Sequence, residues 1–510
     1  MRALLSAYDK SGLVPFARGL AELGWELVAS GGTARHLTAG GLDVTSVDAL
    51  TGVGEMLGHR VVTLHPAVHG GILARRDVPG DLAELVAHGY GPFDLVYVDL
   101  YPFEQTIAAP NTSFADAIEQ IDVGGPAMLR AAAKNHLHVI PLCRGADLEP
   151  VLGELRAAGV VSSGTRHTLA ARAFATTAAY DSAIAAWLTD DDFPETLTPS
   201  FERVRLLAYG ENPHQRAAYY AERGVRTHLL SRVEQRHGKP LSYNNLNDLG
   251  AARLLAHDLG GQPACVIVKH ANPCGAGVAE TVEEAYAKAL GGDPVSAYGG
   301  VVVLTRPVSG QLAAALAEQF IEVLFAPGYE PEALEVLSQK PALRILDDVE
   351  RRVFEPVELD YRRVPGGLLV QERDTTIDVP ESMTVAYGVV DEECWDDLLF
   401  AWSVVRHVAS NAIVLARGGA TIGIGAGQMS RVDAVRLAIE KAREHGHVLA
   451  GAVLASDAFF PFADGVELAL HAGVAAVIQP GGSKRDDEVA AAVEAAGAAM
   501  VVTGRRHFRH

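Results

Sequence analysis

Short apolar runs alternate with helix-patterned segments along roughly the first 190 residues, and this alternation restricts the fold more than any other feature of the sequence. ALLSAY, Trp25 to Ala29, Leu95 to Leu100 and Leu137 to Leu142 read as strands. Leu13 to Leu23, Phe114 to Glu119 and Met128 to Lys134 carry helical apolar spacing. Strand–helix alternation predicts an α/β fold, a parallel sheet covered by helices. The polar, Pro-containing stretch Thr189 to Ser200 interrupts the pattern and marks a boundary between a first domain, 1–195, and a second, 200–510. The second part is also α/β. CVIVKH, VVVL, Ala452 to Ala455 and Ala475 to Ile478 are buried-type strands, and Thr281 to Leu290, Gln311 to Gln319 and Arg431 to Glu444 are helical. A polar stretch near 374–381 is expected to divide it into two lobes; no short-period repeat is visible.

Composition excludes several functions. With 49% hydrophobic and 21% charged residues, the 510-residue chain can build full cores, so global disorder is excluded. A net charge of −20 argues against nonspecific nucleic-acid binding, which relies on Lys and Arg facing phosphates. The start MRALLSAYDK lacks the form of a signal peptide, and no uninterrupted apolar run reaches membrane-spanning length. Cys143, Cys265, Cys274 and Cys394 lie far apart with no C-x-x-C pair, so neither disulfides nor structural zinc is expected. These readings predict a cytoplasmic protein with no membrane and no nucleic-acid partner. Among 43 basic residues only eight are Lys, which makes each retained Lys a better functional candidate.

Ser30-Gly31-Gly32-Thr33 lies between a strand and a helix, where glycines permit close backbone approach and a helix N-terminus offers free N–H groups to an anion. An ordinary capped turn would look the same. Lys269-His270 follows the apolar run CVIV and precedes an Asn-Pro-Cys-Gly turn. A strand end of this kind places side chains in a crevice, and the pair can supply a proton acceptor and a fixed positive charge. Zinc-deaminase chemistry needs H-x-E and P-C-x-x-C, but Gly277 stands three residues after Cys274 and no H-x-E precedes it, so zinc is rejected. Asn244, Asn245 and Asn247 predict a loop whose amides could read a heterocycle. Asp457-Ala-Phe-Phe-Pro-Phe462 is either core packing or a stacking wall.

Taken in order along almost the whole chain, ASGGT, TLHPAVHGGIL, DLYPF, EQIDVGGPAMLRAAAKNH, YGENPHQ, LSYNNLND, VKHANPCG, DPVSAYGG, SNAIVLA, GIGAGQMSR, SDAFFPF, QPGGS and TGRRHFRH form a pattern. It resembles the bifunctional purine-biosynthesis family that joins an IMP cyclohydrolase to an AICAR formyltransferase. The resemblance implies a methylglyoxal-synthase-like N-terminal sheet domain, then two cytidine-deaminase-like α/β lobes without zinc. It also implies a homodimer with the transferase site at the subunit interface. The transferase would move a formyl group from 10-formyltetrahydrofolate, a cosubstrate, to AICAR ribotide. The cyclohydrolase would close the product, FAICAR, to IMP with loss of water.

Carried over by resemblance, His270 is the proton acceptor, Lys269 its charged neighbour, and Asn411 positions the reacting groups. Tyr209, Asn244, Tyr298, Gly299, Arg431, Phe459 and Arg506 match positions around the nucleotide or the folate, and Glu322 and Asp464 are assigned to folate recognition. In the N-terminal domain Ser30, Gly32 and Thr33 would hold the 5′-phosphate, with Ser6, Lys10, Arg60 and Thr63 lining the pocket. Tyr101, Asp122 and Lys134 match the cyclisation residues, a carboxylate–lysine pair suited to proton transfer. Four positions depart from the family. Val62 stands for Lys, Asp99 for Asn, Tyr8 for Ser, and Ala208 for an Arg that would hold the AICAR phosphate, with Arg205 nearby. Val62 and Asp99 motivate an alternative, a formyltransferase whose N-terminal domain only senses a ligand.

Overall fold

The computed structural model describes residues 1–109, 111–223, 230–348 and 359–510. The chain divides into two compact units, the first essentially Met1–Glu202 and the second Arg203–Ala221 with Val225–His510.

In the first unit, among the described residues, five strands form one sheet: β1 (Arg2–Ala7), β2 (Glu26–Ala29), β3 (Thr45–Ser46), β4 (Leu95–Asp99) and β5 (Ile140–Leu142), in the order β3-β2-β1-β4-β5. Every neighbouring pair is parallel. Both faces are buried, which is why these strands read as unbroken apolar runs. Leu5 of β1 packs into one core with Leu13, Phe16 and Leu152, while Leu4 points to the other face with Val96, Met128 and Leu129. The helix Gly124–Lys134 crosses the second face, starting four residues before the Met128 expected from the sequence. The long helix Ser163–Leu188 carries little apolar periodicity: its buried residues are Leu169, Ala170, Ala173, Thr177 and Tyr180, two of them alanines. Strand order reverses between β1 and β4, so their carboxyl ends diverge and open a crevice.

In the second unit a two-strand ribbon, β6 (Phe201–Leu206) and β7 (Ala218–Glu222), precedes a twelve-stranded sheet of described residues. Its strands in chain order are β8 (Glu234–His237), β9 (Ala264–Lys269), β10 (Asn272–Val278), β11 (Gly300–Leu304), β12 (Ile321–Ala326) and β13 (Arg344–Asp347). After the hairpin β14 (Leu359–Val364) and β15 (Gly367–Glu372) come β16 (Thr384–Tyr387), β17 (Ile413–Arg417), β18 (Ala420–Gly425), β19 (Val453–Ser456), β20 (Ala476–Gln479) and β21 (Ala499–Val502). The order is β16-β21-β20-β19-β17-β18-β10-β9-β11-β12-β13-β8. Read from its centre outward, it is one pattern used twice. In each half an antiparallel hairpin is followed by three parallel strands and one antiparallel edge strand. The halves join where β10 pairs with β18 at Gly277 and Ala420.

The duplication reaches individual residues. A Cβ on Gly275 or Gly277 would strike the carbonyls of Ala289 or Ala285, and one on Gly423 or Gly425 those of Ala438 or Ala434. These pairs repeat at an offset of about 149 residues, and in each half the G-x-G strand lets a helix lie directly on the sheet. One core is shared by both halves and each half adds its own.

Two local expectations are corrected. Asn244, Asn245 and Asn247 are not in a loop but in the first turns of the helix Tyr243–Asp258. Ser242 and Asn245 form a capping box, and that satisfaction of the free N–H groups outweighs the low helix propensity of Asn. Asn-Pro-Cys-Gly is not a turn but the start of β10; the chain reverses one step earlier, at His270-Ala271.

Candidate functional site

In the first unit the crevice gathers residues from three strand ends. Ser6 is the penultimate residue of β1 and Ser30 follows β2, and their hydroxyls are 3.2 Å apart. Ser30 has extended backbone and does not use its side chain to cap the helix Gly31–Ala39, so its hydroxyl and the Gly31 and Gly32 N–H groups face the crevice together. Thr33 plays a different part from the one expected. Its buried hydroxyl accepts the Ala7 N–H at 3.1 Å and donates to the Ala7 carbonyl at 3.2 Å, bracing the Gly turn against β1. Lys10 donates from Nζ to the Tyr8 carbonyl at 3.1 Å, on the loop after β1.

Tyr101 follows β4 and stands edge-on to Tyr8, ring centroids 5.8 Å apart. Burial, then Asp122 and Glu55, push its phenol above the ordinary value, so it stays protonated and can donate. The Asp122 carboxylate accepts the Gly125 N–H at 2.7 Å. Its own N–H donates to the Tyr180 hydroxyl at 2.8 Å. Burial raises the Asp122 carboxyl above the usual carboxylate range despite these backbone donors, which makes it a stronger base than an exposed Asp. Thr63, buried, packs its hydroxyl against Gly124 beside Asp122. Arg60, exposed, is paired with Glu119. Asp99 accepts the Asp9 N–H at 2.7 Å, and burial raises its carboxyl.

Lys134 is not brought to this crevice. Asp122 precedes the start of the helix Gly124–Lys134 and Lys134 ends it. At 1.5 Å of rise per residue the two lie about 15 Å apart along the axis. A helix linking parallel strands must run from one edge of the sheet to the other, so the expected Asp122–Lys134 pair does not form within the unit.

In the second unit the expected residues of both halves lie along one edge of the sheet. Because β9 runs antiparallel to β17 in the duplicated sheet, the end of β9 shares an edge with the beginning of β17. Lys269 ends β9 and donates to the Gly299 carbonyl at 2.8 Å. Gly299 has φ +69, and a Cβ there would crowd the Lys269 Nζ and Phe320. Tyr298 leans on Phe320 with centroids 5.0 Å apart. Glu322 of β12 accepts from Asn245 at 3.0 Å, and Asn244 donates to the Glu211 carbonyl at 3.2 Å. The Tyr209 carbonyl accepts the Tyr243 N–H at 3.2 Å, and Ala208 is exposed beside it.

His270, exposed, and Ala271 both have left-handed backbone, φ 54 and 59. The Asp248 carboxylate accepts their N–H groups, that of Ala271 at 2.8 Å. From the other half, Ala409 donates its N–H to Asn272 at 2.8 Å. Asn411, after a cis peptide, donates to the Gln428 carbonyl at 2.9 Å and accepts from Arg431 at 2.8 Å. Arg431 and Asp457 form a buried ion pair, and Asp457 also holds Ser410 and the Ala412 N–H. Of the three aromatics after Asp457, Phe460 is core, as the packing reading expects, while Phe459 and Phe462 are exposed. Asp464, exposed, opens the helix Asp464–Ala472. The Arg506 guanidinium lies over the Phe508 ring at 4.7 Å. Sequence reading missed Asp248 and Asp457, which hold the reactive turn and Asn411; the long-period repeat was the signal for Asp248.

A doubly wound parallel-sheet domain with a Gly turn at a helix N-terminus, followed by a duplicated deaminase-like sheet with a Lys-His edge, defines a two-site α/β enzyme. Comparison with known proteins agrees. The family model described as AICARFT/IMPCHase bienzyme matches residues 132–441, and the MGS-like domain model matches 12–127. The bifunctional purine biosynthesis protein PurH of Anoxybacillus flavithermus is 49% identical, with 100% of this chain and 99% of that protein covered. The protein of the same name from Chloroflexus aurantiacus is 50% identical with the same coverage. That from Halalkalibacterium halodurans is 48% identical, again over 100% and 99%. The chain belongs to this family, the bifunctional enzymes of purine biosynthesis with AICAR formyltransferase and IMP cyclohydrolase activities. Among the described residues no helix is long and apolar enough to cross a membrane.

Proposed function

We propose that the second unit transfers the formyl group of 10-formyltetrahydrofolate to AICAR ribotide and that the first unit closes the product to IMP. The observation supporting this division is that each unit gathers its own set of polar groups at one sheet edge. In the transferase, the amine of AICAR is conjugated with an electron-poor ring and attacks weakly. His270 accepts its proton as the new N–C bond forms, and the Lys269 ammonium stabilises charge growing on the formyl oxygen. The bond to the folate nitrogen then breaks and that nitrogen takes up a proton. Asn411, held by Arg431 and Asp457, orients the reacting groups. Tyr209, Asn244, Arg431, Phe459 and Arg506 surround the ribotide and the folate, with Glu322 and Asp464 on the folate side and Tyr298 and Gly299 beside Lys269. Zinc is given no role: Gly277 stands where a P-C-x-x-C pair needs its second Cys, and burial raises the Cys274 thiol.

In the cyclohydrolase, the hydroxyls of Ser6 and Ser30 and the Gly31 and Gly32 N–H groups take the ribotide phosphate, with Arg60 and Thr63 at the rim. Asp122 takes the proton of the carboxamide nitrogen as it attacks the formyl carbon. Tyr101 protonates the formyl oxygen to a hydroxyl; protonated Asp122 then gives its proton to that hydroxyl, which leaves as water while the formamide N–H proton passes back to the Tyr101 oxygen. Lys10, rather than Lys134, supplies the cation at this edge. The protein works as a cytoplasmic homodimer. Support for the dimer is the group of exposed apolar side chains, Val295, Tyr298 and Phe320, beside Lys269.

The test uses the full chain with AICAR ribotide and separately supplied FAICAR. Asp122→Asn should slow cyclisation by about 100- to 10,000-fold and leave formyl transfer intact. Because Asp122 acts as the anion and its carboxyl is raised, the wild-type cyclisation rate should fall, as pH drops, at higher pH than an ordinary carboxylate would allow. Lys10→Ala should slow cyclisation more than Lys134→Ala. Loss of both activities in Asp122→Asn, or a larger effect at Lys134, would overturn the assignment.

A further inference from the structure

The terminal segment after β21 runs along the transferase edge. The His507 N–H donates to the Asp457 carbonyl at 3.0 Å, and the Arg509 carbonyl accepts the Ser410 N–H at 2.9 Å. Arg506 and Phe508 flank His507, whose ring is 2% exposed. Both ring nitrogens face carboxylates: Nδ1 meets Asp374, and Nε2 meets Asp378 at 2.9 Å. A neutral imidazole has one N–H and would turn a lone pair toward the second carboxylate; only the imidazolium donates to both.

The carboxylates are held in turn from each neighbouring element. Trp402 donates to Asp378 at 2.9 Å and sets its ring edge-on to His507. Arg505 donates to Asp378 at 2.7 Å. Arg406 lies 3.7 Å from Asp374 and 3.7 Å from Asp258, which itself holds His407. Burial works to raise the Asp374 and Asp378 carboxyls, but the bonds from His507 and the neighbouring cations more than offset it and leave both below the usual range. The 374–381 stretch, expected from sequence to divide two lobes, also anchors the terminal segment.

We propose that His507 is a positioning residue for formyl transfer: clamped as an imidazolium between Asp374 and Asp378, it seats the terminal segment so that Arg506 and Phe508 meet the ribotide. This rests on the reading that Arg506 contacts the ribotide. His507 touches no reacting atom and acts through the segment it holds. The clamp fails in acid. Lowering pH through the depressed carboxyls removes the acceptors, so the stability they contribute is present above the ordinary carboxylate value and lost in acid.

His507→Gln offers one donor and one acceptor and cannot donate to two carboxylates. In the full chain it should raise KM for AICAR ribotide about tenfold while kcat stays within about twofold, since a charge-assisted bond is lost from binding geometry and not from chemistry. Cyclisation of supplied FAICAR should be unchanged. Asp374→Asn, at an exposed carboxylate that the fold tolerates, should raise KM by a smaller factor and is the readout if His507→Gln does not fold. An unchanged KM in the variant that folds, or equal loss of both activities, overturns the clamp. Arg506→Ala separates the two ideas: if it leaves KM unchanged, the site reading itself fails. If it raises KM while His507→Gln does not, only the clamp fails.

Discussion

The β9–β10 and β17–β18 hairpins occupy equivalent places in a duplicated sheet, yet they turn with different residues. In the second half the turn is Gly418-Gly419, φ 59 and 67, and its N–H groups are held by Asp397 at 2.7 Å each. In the first half the same left-handed pair is His270-Ala271, held by Asp248, which has the same helix position as Asp397. Glycine adopts this conformation without steric cost, whereas a side chain there costs about 1–2 kcal/mol per residue. The half that keeps the strained residues is the one beside Lys269 and Asn411. Strain retained where the sister copy avoids it points to a side chain held for its chemistry. The backbone was duplicated; the site arises from what the copies do not share.

Five substitutions probe that comparison. The largest effect is expected of His270→Gly, which makes the first turn resemble the second. Formyl transfer should drop about 100- to 10,000-fold while thermal unfolding shows a gain of about 1 kcal/mol. A loss of stability would mean that His270 holds structure instead. Next, Asp248→Asn and Asp397→Asn should each cost about 2 kcal/mol in denaturant unfolding, because each removes charge-assisted bonds to a turn. Only Asp248→Asn should also slow transfer, by about tenfold through the displaced His270; equal kinetic effects would erase the distinction between the halves. The smallest effects are at the adjacent positions. Ala271→Gly should stabilise the protein by about 1 kcal/mol and Gly418→Ala destabilise it by about as much, both with transfer rates near wild type.

Much of the fold was legible. Strands buried on both faces announce themselves as apolar runs, and the helices Phe114–Glu119 and Arg431–Glu444 begin and end where their apolar spacing does. The Gly turn between β2 and the helix Gly31–Ala39 was legible as a turn because glycines between a strand and a helix break both periods. Where reading failed, a local preference yielded to a specific partner. The Asn run became a helix because Ser242 caps it. The Asn-Pro-Cys-Gly turn became a strand because the reversal is stabilised by Asp248, far from it in sequence. The helix Ser163–Leu188 escaped notice because alanines and one buried Tyr leave little periodicity.

The sequence by itself determined most of the elements and the inventory of chemistry: many of the strands, where the Gly turn falls, and that Lys, His, Asp and Tyr stand at strand ends. Those follow from spacing and from short-range sterics, which act within a few residues. Only the tertiary structure decided which of them meet. Strand direction put Lys269 and Asn411 on one edge although they belong to different halves. The length of a crossing helix took Lys134 away from Asp122. A buried imidazole was set between two carboxylates more than a hundred positions away. Such meetings depend on sheet register and on the desolvation of charged groups, and both exist only once the chain is folded.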